Sequence, residues 1–140
     1  MRAESCPWDE HTCAGAAEGG HLEVLQWARE NGCSWDKRIC HAAAKGGQLK
    51  VLQWAHANGC PWDEKTCLNA AGKGRLETLQ WARANGCPWD ERTCPNAVWD
   101  INFKLLKWAR ANGCPWDKES CLYEAQNAGH LGIAEWIYGN

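Results

Sequence analysis

The stretch Asn58-Gly59-Cys60-Pro61-Trp62-Asp63-Glu64-Lys65-Thr66-Cys67 recurs along the chain, with counterparts at Ser5 to Cys13, Asn31 to Cys40, Asn85 to Cys94 and Asn112 to Cys121. Its first cysteines, Cys6, Cys33, Cys60, Cys87 and Cys114, follow one another at a constant step of 27 residues. A fixed period of that size specifies a stacked array in which each unit touches its neighbours, rather than an enzyme-like globule. The 140 residues divide into a single array of five units, approximately 6–32, 33–59, 60–86, 87–113 and 114–140.

Within one unit the local signals describe two helices. Asp36 is placed to cap a helix running from Lys37 through Ala44, which Gly46-Gly47 stops. Leu49, Val51, Leu52, Trp54 and Ala55 then follow at helical spacing, and Asn58-Gly59 closes this second helix. The corresponding helices are Asp9 to Glu18 and Leu22 to Glu30 in the first unit, and Asp63 to Ala71 and Leu76 to Ala84 in the third. The fourth unit departs most, reading Ala97-Val98-Trp99-Asp100-Ile101-Asn102 where its neighbours have paired alanines and a glycine turn. Proline is tolerated only in a helix's first turn, so Pro95 predicts a first helix that starts late, near Thr93, or is kinked. The fifth unit carries one extra residue before Asn127-Ala128-Gly129.

Ten cysteines and eleven tryptophans are the oddities of composition, and the repeat accounts for both. Cysteines seven apart, such as Cys60 and Cys67, lie about 10 Å apart if they bracket a helix, beyond the roughly 7 Å a disulfide spans. Equivalent cysteines of successive units are expected about 8–10 Å apart, one helix-packing distance. Reduced, buried thiols are therefore expected. The tryptophans fall in two rows, one in the turn (Trp8, Trp35, Trp62, Trp89, Trp116) and one on the second helix (Trp27, Trp54, Trp81, Trp108, Trp136). They read as wedges between successive hairpins, each ring burying up to about 150–250 Å².

Formal net charge is -2 with 23% charged residues and interspersed signs, which disfavours nucleic acid and anionic membranes as partners. No apolar run approaches the roughly 20 residues of a membrane span, and Met1-Arg2-Ala3-Glu4 gives no targeting signal. The expected location is intracellular, the reducing cytoplasm first, with an organelle or the nucleus as alternatives. Catalysis finds little support, since Cys40-His41 adjoin in only one unit. No Cys-x-x-Cys occurs and the histidines keep no constant offset from the cysteines, so neither metal nor cofactor is expected.

The segment Ala16-Ala17-Glu18-Gly19-Gly20-His21-Leu22-Glu23-Val24-Leu25 resembles the centre of an ankyrin repeat, where paired alanines end the first helix and Gly-His-Leu-Glu-Val opens the second. Ala43-Ala44-Lys45-Gly46-Gly47-Gln48-Leu49 and Ala128-Gly129-His130-Leu131 look similar. The units are shorter than the roughly 33 residues of ankyrin repeats, and the Cys-Pro-Trp-Asp turn stands where the hairpin finger would be. In this the chain looks like the short, Cys-Pro-Trp-Asp-rich ankyrin-like repeat proteins of algae, oomycetes and giant viruses. The resemblance implies a protein-binding scaffold without enzymatic activity.

The fold expected is an all-α, ankyrin-like, right-handed solenoid of five helical hairpins that lacks the β-hairpin fingers. The function expected is a non-catalytic protein–protein interaction module, or a scaffold subunit of a larger assembly whose terminal repeats stack on a partner chain. Contacts are expected where the period varies, at His11, Arg38, His41, Lys65, Asn69, Arg92, Asn96 and Tyr123, together with the irregular Trp99. Two other classes remain open: a redox or metal-binding cysteine ladder, and a helical repeat for single-stranded RNA.

Overall fold

The computed structural model describes residues 8–98 and 103–140. Its helices run in chain order as α1 (Glu10–Glu18), α2 (Leu22–Glu30), α3 (Arg38–Lys45), α4 (Leu49–Ala57), α5 (Glu64–Gly72), α6 (Leu76–Ala84), α7 (Thr93–Ala97), α8 (Lys104–Ala111), α9 (Lys118–Asn127) and α10 (Leu131–Gly139). No strand occurs among the described residues. The hairpins place every odd-numbered helix in one row and every even-numbered helix in the other.

The aspartates set the helix starts in two ways. Asp9, Asp63 and Asp117 cap α1, α5 and α9 by accepting from the amides of Thr12, Lys65, and Glu119 with Ser120. Asp36 and Asp90 instead accept from their own unit's arginine, through the amide and guanidinium of Arg38 and of Arg92. With the carboxylate clamped there, α3 begins at Arg38 rather than Lys37. At the other end, the Asn of each Asn-Gly donates from Nδ2 to the carbonyl four residues back, as Asn58 does to Trp54 at 2.8 Å. The following glycine turns the chain with a left-handed φ, 83° at Gly59, a conformation that disfavours any other residue.

Packing between units runs through the first row. α1 packs on α3, α3 on α5, α5 on α7 and α7 on α9, while the second row is joined much more loosely. Side-chain size explains the difference. The facing surfaces of the first row carry Cys13, Ala17, Cys40, Ala43, Ala44, Cys67, Ala70 and Ala71, all buried. The second row contributes the larger Leu25, Leu52, Leu79, Leu105 and Leu106. Small residues let helix axes approach, so the first helices pack on one another more closely than the second helices do. At Gly46 the approach is closest: a Cβ there would lie 2.1 Å from the Glu18 carbonyl oxygen.

The thiols are built into this interface as weak donors. Cys60, Cys87 and Cys114 lie 3.3, 3.5 and 3.9 Å from the carbonyls of Asp36, Asp63 and Asp90 in the preceding unit. Eight of the cysteines are free and buried. Cys33 differs from expectation, being disulfide-bonded, with its partner outside the described residues.

Tryptophans also depart from the wedge reading. They lie half-buried against the core's edge, and Trp27 is 46% exposed, so full burial overstates their contribution. Instead they pair as ring edges within a unit, Trp35 with Trp54 at 5.4 Å and Trp89 with Trp108 at 5.7 Å. A cation from the second helix then covers the next unit's turn ring: Arg29 over Trp35, Arg83 over Trp89 and Arg110 over Trp116. In the remaining position His56 stacks on Trp62 at 3.9 Å. This edge ties adjacent units on the side where helix contact is loosest.

The fourth unit is distorted as Pro95 requires. α7 begins at Thr93, placing the proline in its first turn, and it has only five residues. Phe103, just before α8, takes a left-handed φ of 36°, unusual for a bulky residue. Its ring lies under Lys107 and 6.3 Å from Trp136.

Gly46→Ala should lower stability by about 1–3 kcal/mol, the range for an overpacked interior, read as a fall in melting temperature. The fully buried hydroxyls of Thr66 and Thr93 have no hydrogen-bond partner. Ile39 occupies the equivalent position of the second unit. Thr66→Val should therefore raise stability by about 1 kcal/mol, the cost of an unsatisfied buried hydroxyl, measured by denaturant unfolding.

Candidate functional site

The exposed ends of the first helices vary from unit to unit while their inner faces are fixed by packing. On α1, His11 is exposed, and on α5 Lys65 is exposed. Arg38 is held by Asp36, its Nη2 2.9 Å from Oδ2. Asn69 turns back to the Lys65 carbonyl at 2.9 Å. His41 is not a free contact group: its Nε2 lies 2.6 Å from Oδ1 of Asp63 in the next unit, where Lys37 also reaches Oδ2 at 3.3 Å. Trp99 lies outside the described residues.

Three of the predicted positions converge. Arg92, Asn96 and Tyr123 line a groove of about 650 Å³ across α5, α7 and α9, floored by Leu68, Pro95 and the ring of Tyr123. Asn96 spans units, donating toward the Leu68 carbonyl at 3.4 Å, and with Asn69 it lines a smaller neighbouring cavity. The groove lies along the starts of α7 and α9, and Pro95 in the first turn of α7 forms part of its lining. Tyr123 is 63% exposed beside it. His11, Arg38 and His41 lie away from the groove.

Sequence reasoning missed the acidic rim, formed by Glu91, Asp117, Glu119 and Glu124. These residues stand in different rows of the repeat, and only the fold brings them to one opening. One signal was present: the row that reads His11, Arg38, Lys65 and Arg92 reverses sign at Glu119.

Electrostatics along the face is dominated by paired carboxylates. Partial burial, which by itself pushes the Asp63 carboxyl up, is outweighed by bonds from His41, the Lys65 amide and Lys37, so its pKa lies below the ordinary aspartate value. Asp36 and Asp90 are lowered chiefly by the guanidinium bonds from Arg38 and Arg92. Most of the shifted thiols move the other way, although the bond from Cys40 lowers the Cys60 thiol. Hydrogen bonding to Cys60 and burial raise the Cys40 thiol, the Cys67 thiol rises likewise beside Cys87, and burial pushes Cys121 up to about 12. Such thiols stay protonated at neutral pH and are poor nucleophiles. Among the described residues, no three His, Cys, Asp or Glu side chains are grouped to hold a metal ion. No described helix is long and apolar enough to cross a membrane.

The family model for ankyrin repeats in many copies matches residues 15–56, from α1 through most of α4. Together with the helical hairpin stack, in which the described residues form no strand, this match supports an ankyrin-like repeat protein. Ankyrin repeats are in general protein–protein interaction modules and typically non-catalytic. No curated protein matches the chain at a significant level.

The depressed aspartates predict acid lability. A carboxyl whose folded pKa is lowered contributes stability above the unfolded value, and that contribution is lost as pH falls through the folded one. Melting temperature should therefore hold from neutrality to about pH 5 and decline below about pH 4, the ordinary aspartate range. Asparagine caps a helix about as well as aspartate, so Asp63→Asn removes mainly the charge. It should cost about 1 kcal/mol at neutral pH and blunt the acid decline in a pH series of thermal melts.

Proposed function

We propose that the chain is a non-catalytic protein-binding module, a single array of five units that contributes a fixed surface to a larger assembly. The observation that carries this reading is the division of labour on the first helices. Their inner faces are spent on Ala, Cys and Gly contacts, whereas their outer positions vary and include the exposed Tyr123 beside an open groove. A rigid face with changeable side chains is what a recognition scaffold requires. Without fingers, the surface consists of the first helices themselves, at Lys65, Asn69, Arg92, Asn96 and Tyr123, with His11 and Arg38 extending it.

The short Cys-Pro-Trp-Asp units support reading the chain as one of the compact ankyrin-like repeat proteins of the kind found in algae, oomycetes and giant viruses. Eight free, buried thiols fit a reducing, intracellular compartment, with the Cys33 bridge as the exception. Stacking of a partner on a terminal unit is supported by Leu131 and Tyr138 of α10, both more than 60% exposed at 71% and 66%.

A photo-crosslinking amino acid can be placed at Lys65 or Tyr123 on the first helices, and at Lys50 or Gln80 on the second, in cells that make the protein. Discrete adducts are expected from the first pair only. Adducts confined to Lys50 and Gln80 would sink this assignment of the binding face.

A further inference from the structure

The groove across α5, α7 and α9 has a chemistry of its own. Its floor is apolar, with Leu68, Pro95 and Tyr123 side by side, and its volume of about 650 Å³ suits a few side chains rather than a whole helix. Around this floor stand four carboxylates and one guanidinium. The guanidinium is already engaged, since Arg92 Nη2 lies 2.7 Å from Asp90 and 3.8 Å from Glu64. Lys118, at the start of α9, is not in the lining and donates to the Tyr138 carbonyl at 3.4 Å. Asp117 is occupied in capping α9 through Ser120 and Glu119. Glu91 and Glu119 are exposed and have no ion pair among the described residues.

Resting on the reading of the first helices as the binding face, we propose that this groove receives a short basic segment of a partner protein. An apolar side chain of the segment packs on Leu68, Pro95 and Tyr123, and flanking Arg or Lys groups meet Glu91 and Glu119. Charge complementarity selects this occupant. An acidic segment would meet the carboxylates of Glu91 and Glu119, and a neutral one would cover those two without giving them a partner. An exposed tyrosine beside an apolar floor is the type of group that anchors a bound chain. The face also carries direction, because its other half presents His11, Arg38 and Lys65. The basic groups of the segment therefore lie over the starts of α7 and α9 rather than over α1 to α5.

The test is selection of a displayed random dodecapeptide library on the immobilised full chain, followed by anisotropy and amide-shift mapping with the most enriched peptide. Enriched sequences should combine Arg or Lys with a Leu or aromatic residue. Affinity should fall about tenfold or more in Glu91→Lys/Glu119→Lys and in Tyr123→Ala, as expected for reversed rim charges and a truncated anchor. It should also weaken between about 50 and about 300 mM NaCl. These side chains are exposed, and unchanged thermal melts would show that the variants fold. Neutral or acidic peptides that shift first-helix amides would overturn the basic occupant and leave the binding face standing. Peptides that shift only second-helix amides would overturn both. No enrichment over bare support, or equal binding by the charge-reversed variant, would also overturn the inference.

Discussion

Everything in this fold depends on how closely one first helix approaches the next. Ala43 and Ala44, Ala70 and Ala71, and the cysteines beside them are small enough that the backbones come almost into contact, with Gly46 lying against the Glu18 carbonyl. A unit of this size cannot bury an apolar face alone, so contact with the neighbour is the condition of its folding. The helix caps, the Asn-Gly turns and the thiol donors all serve to hold one hairpin in register with the next. On the opposite side the leucines keep the second helices apart, and the tryptophan rings with their covering cations fill the wider spacing.

That constraint decides where recognition can reside. A position that faces a neighbouring unit is bound to small residues or to a specific bond, as His41 is to Asp63. The outer ends of the first helices carry no such obligation, which is why their chemistry changes from histidine to lysine to glutamate along the stack. Pro95 adds a second source of variation, because it sits in the first turn of a five-residue α7 and itself lines the groove.

Much of this was legible in the sequence. A constant period, Asp and Asn-Gly at fixed offsets and apolar residues at helical spacing fixed the hairpin, and Pro95 located the irregular helix. The role of each side chain was less legible. Thr66 and Thr93 look like ordinary polar positions until the stack buries them. His41 looks like a surface variable until its neighbour's aspartate lies against it. The acidic rim is built from Glu91, Asp117 and Glu119, which belong to different rows, so periodicity disperses the signal that three-dimensional packing collects. Cys33 shows the same limit, since a separation estimated from helix axes did not anticipate its bridge.

The five-residue α7 also sets the mechanical grain of the array. In a stack coupled only between neighbours, cooperativity is transmitted through each shared surface, and the shortest helix transmits the least. The run from α1 to α6 and the pair α9 and α10 are thereby two blocks that meet through α7, the shortest rung. The groove sits across that rung, so a segment lodged in it would grip both blocks at once and stiffen the whole chain.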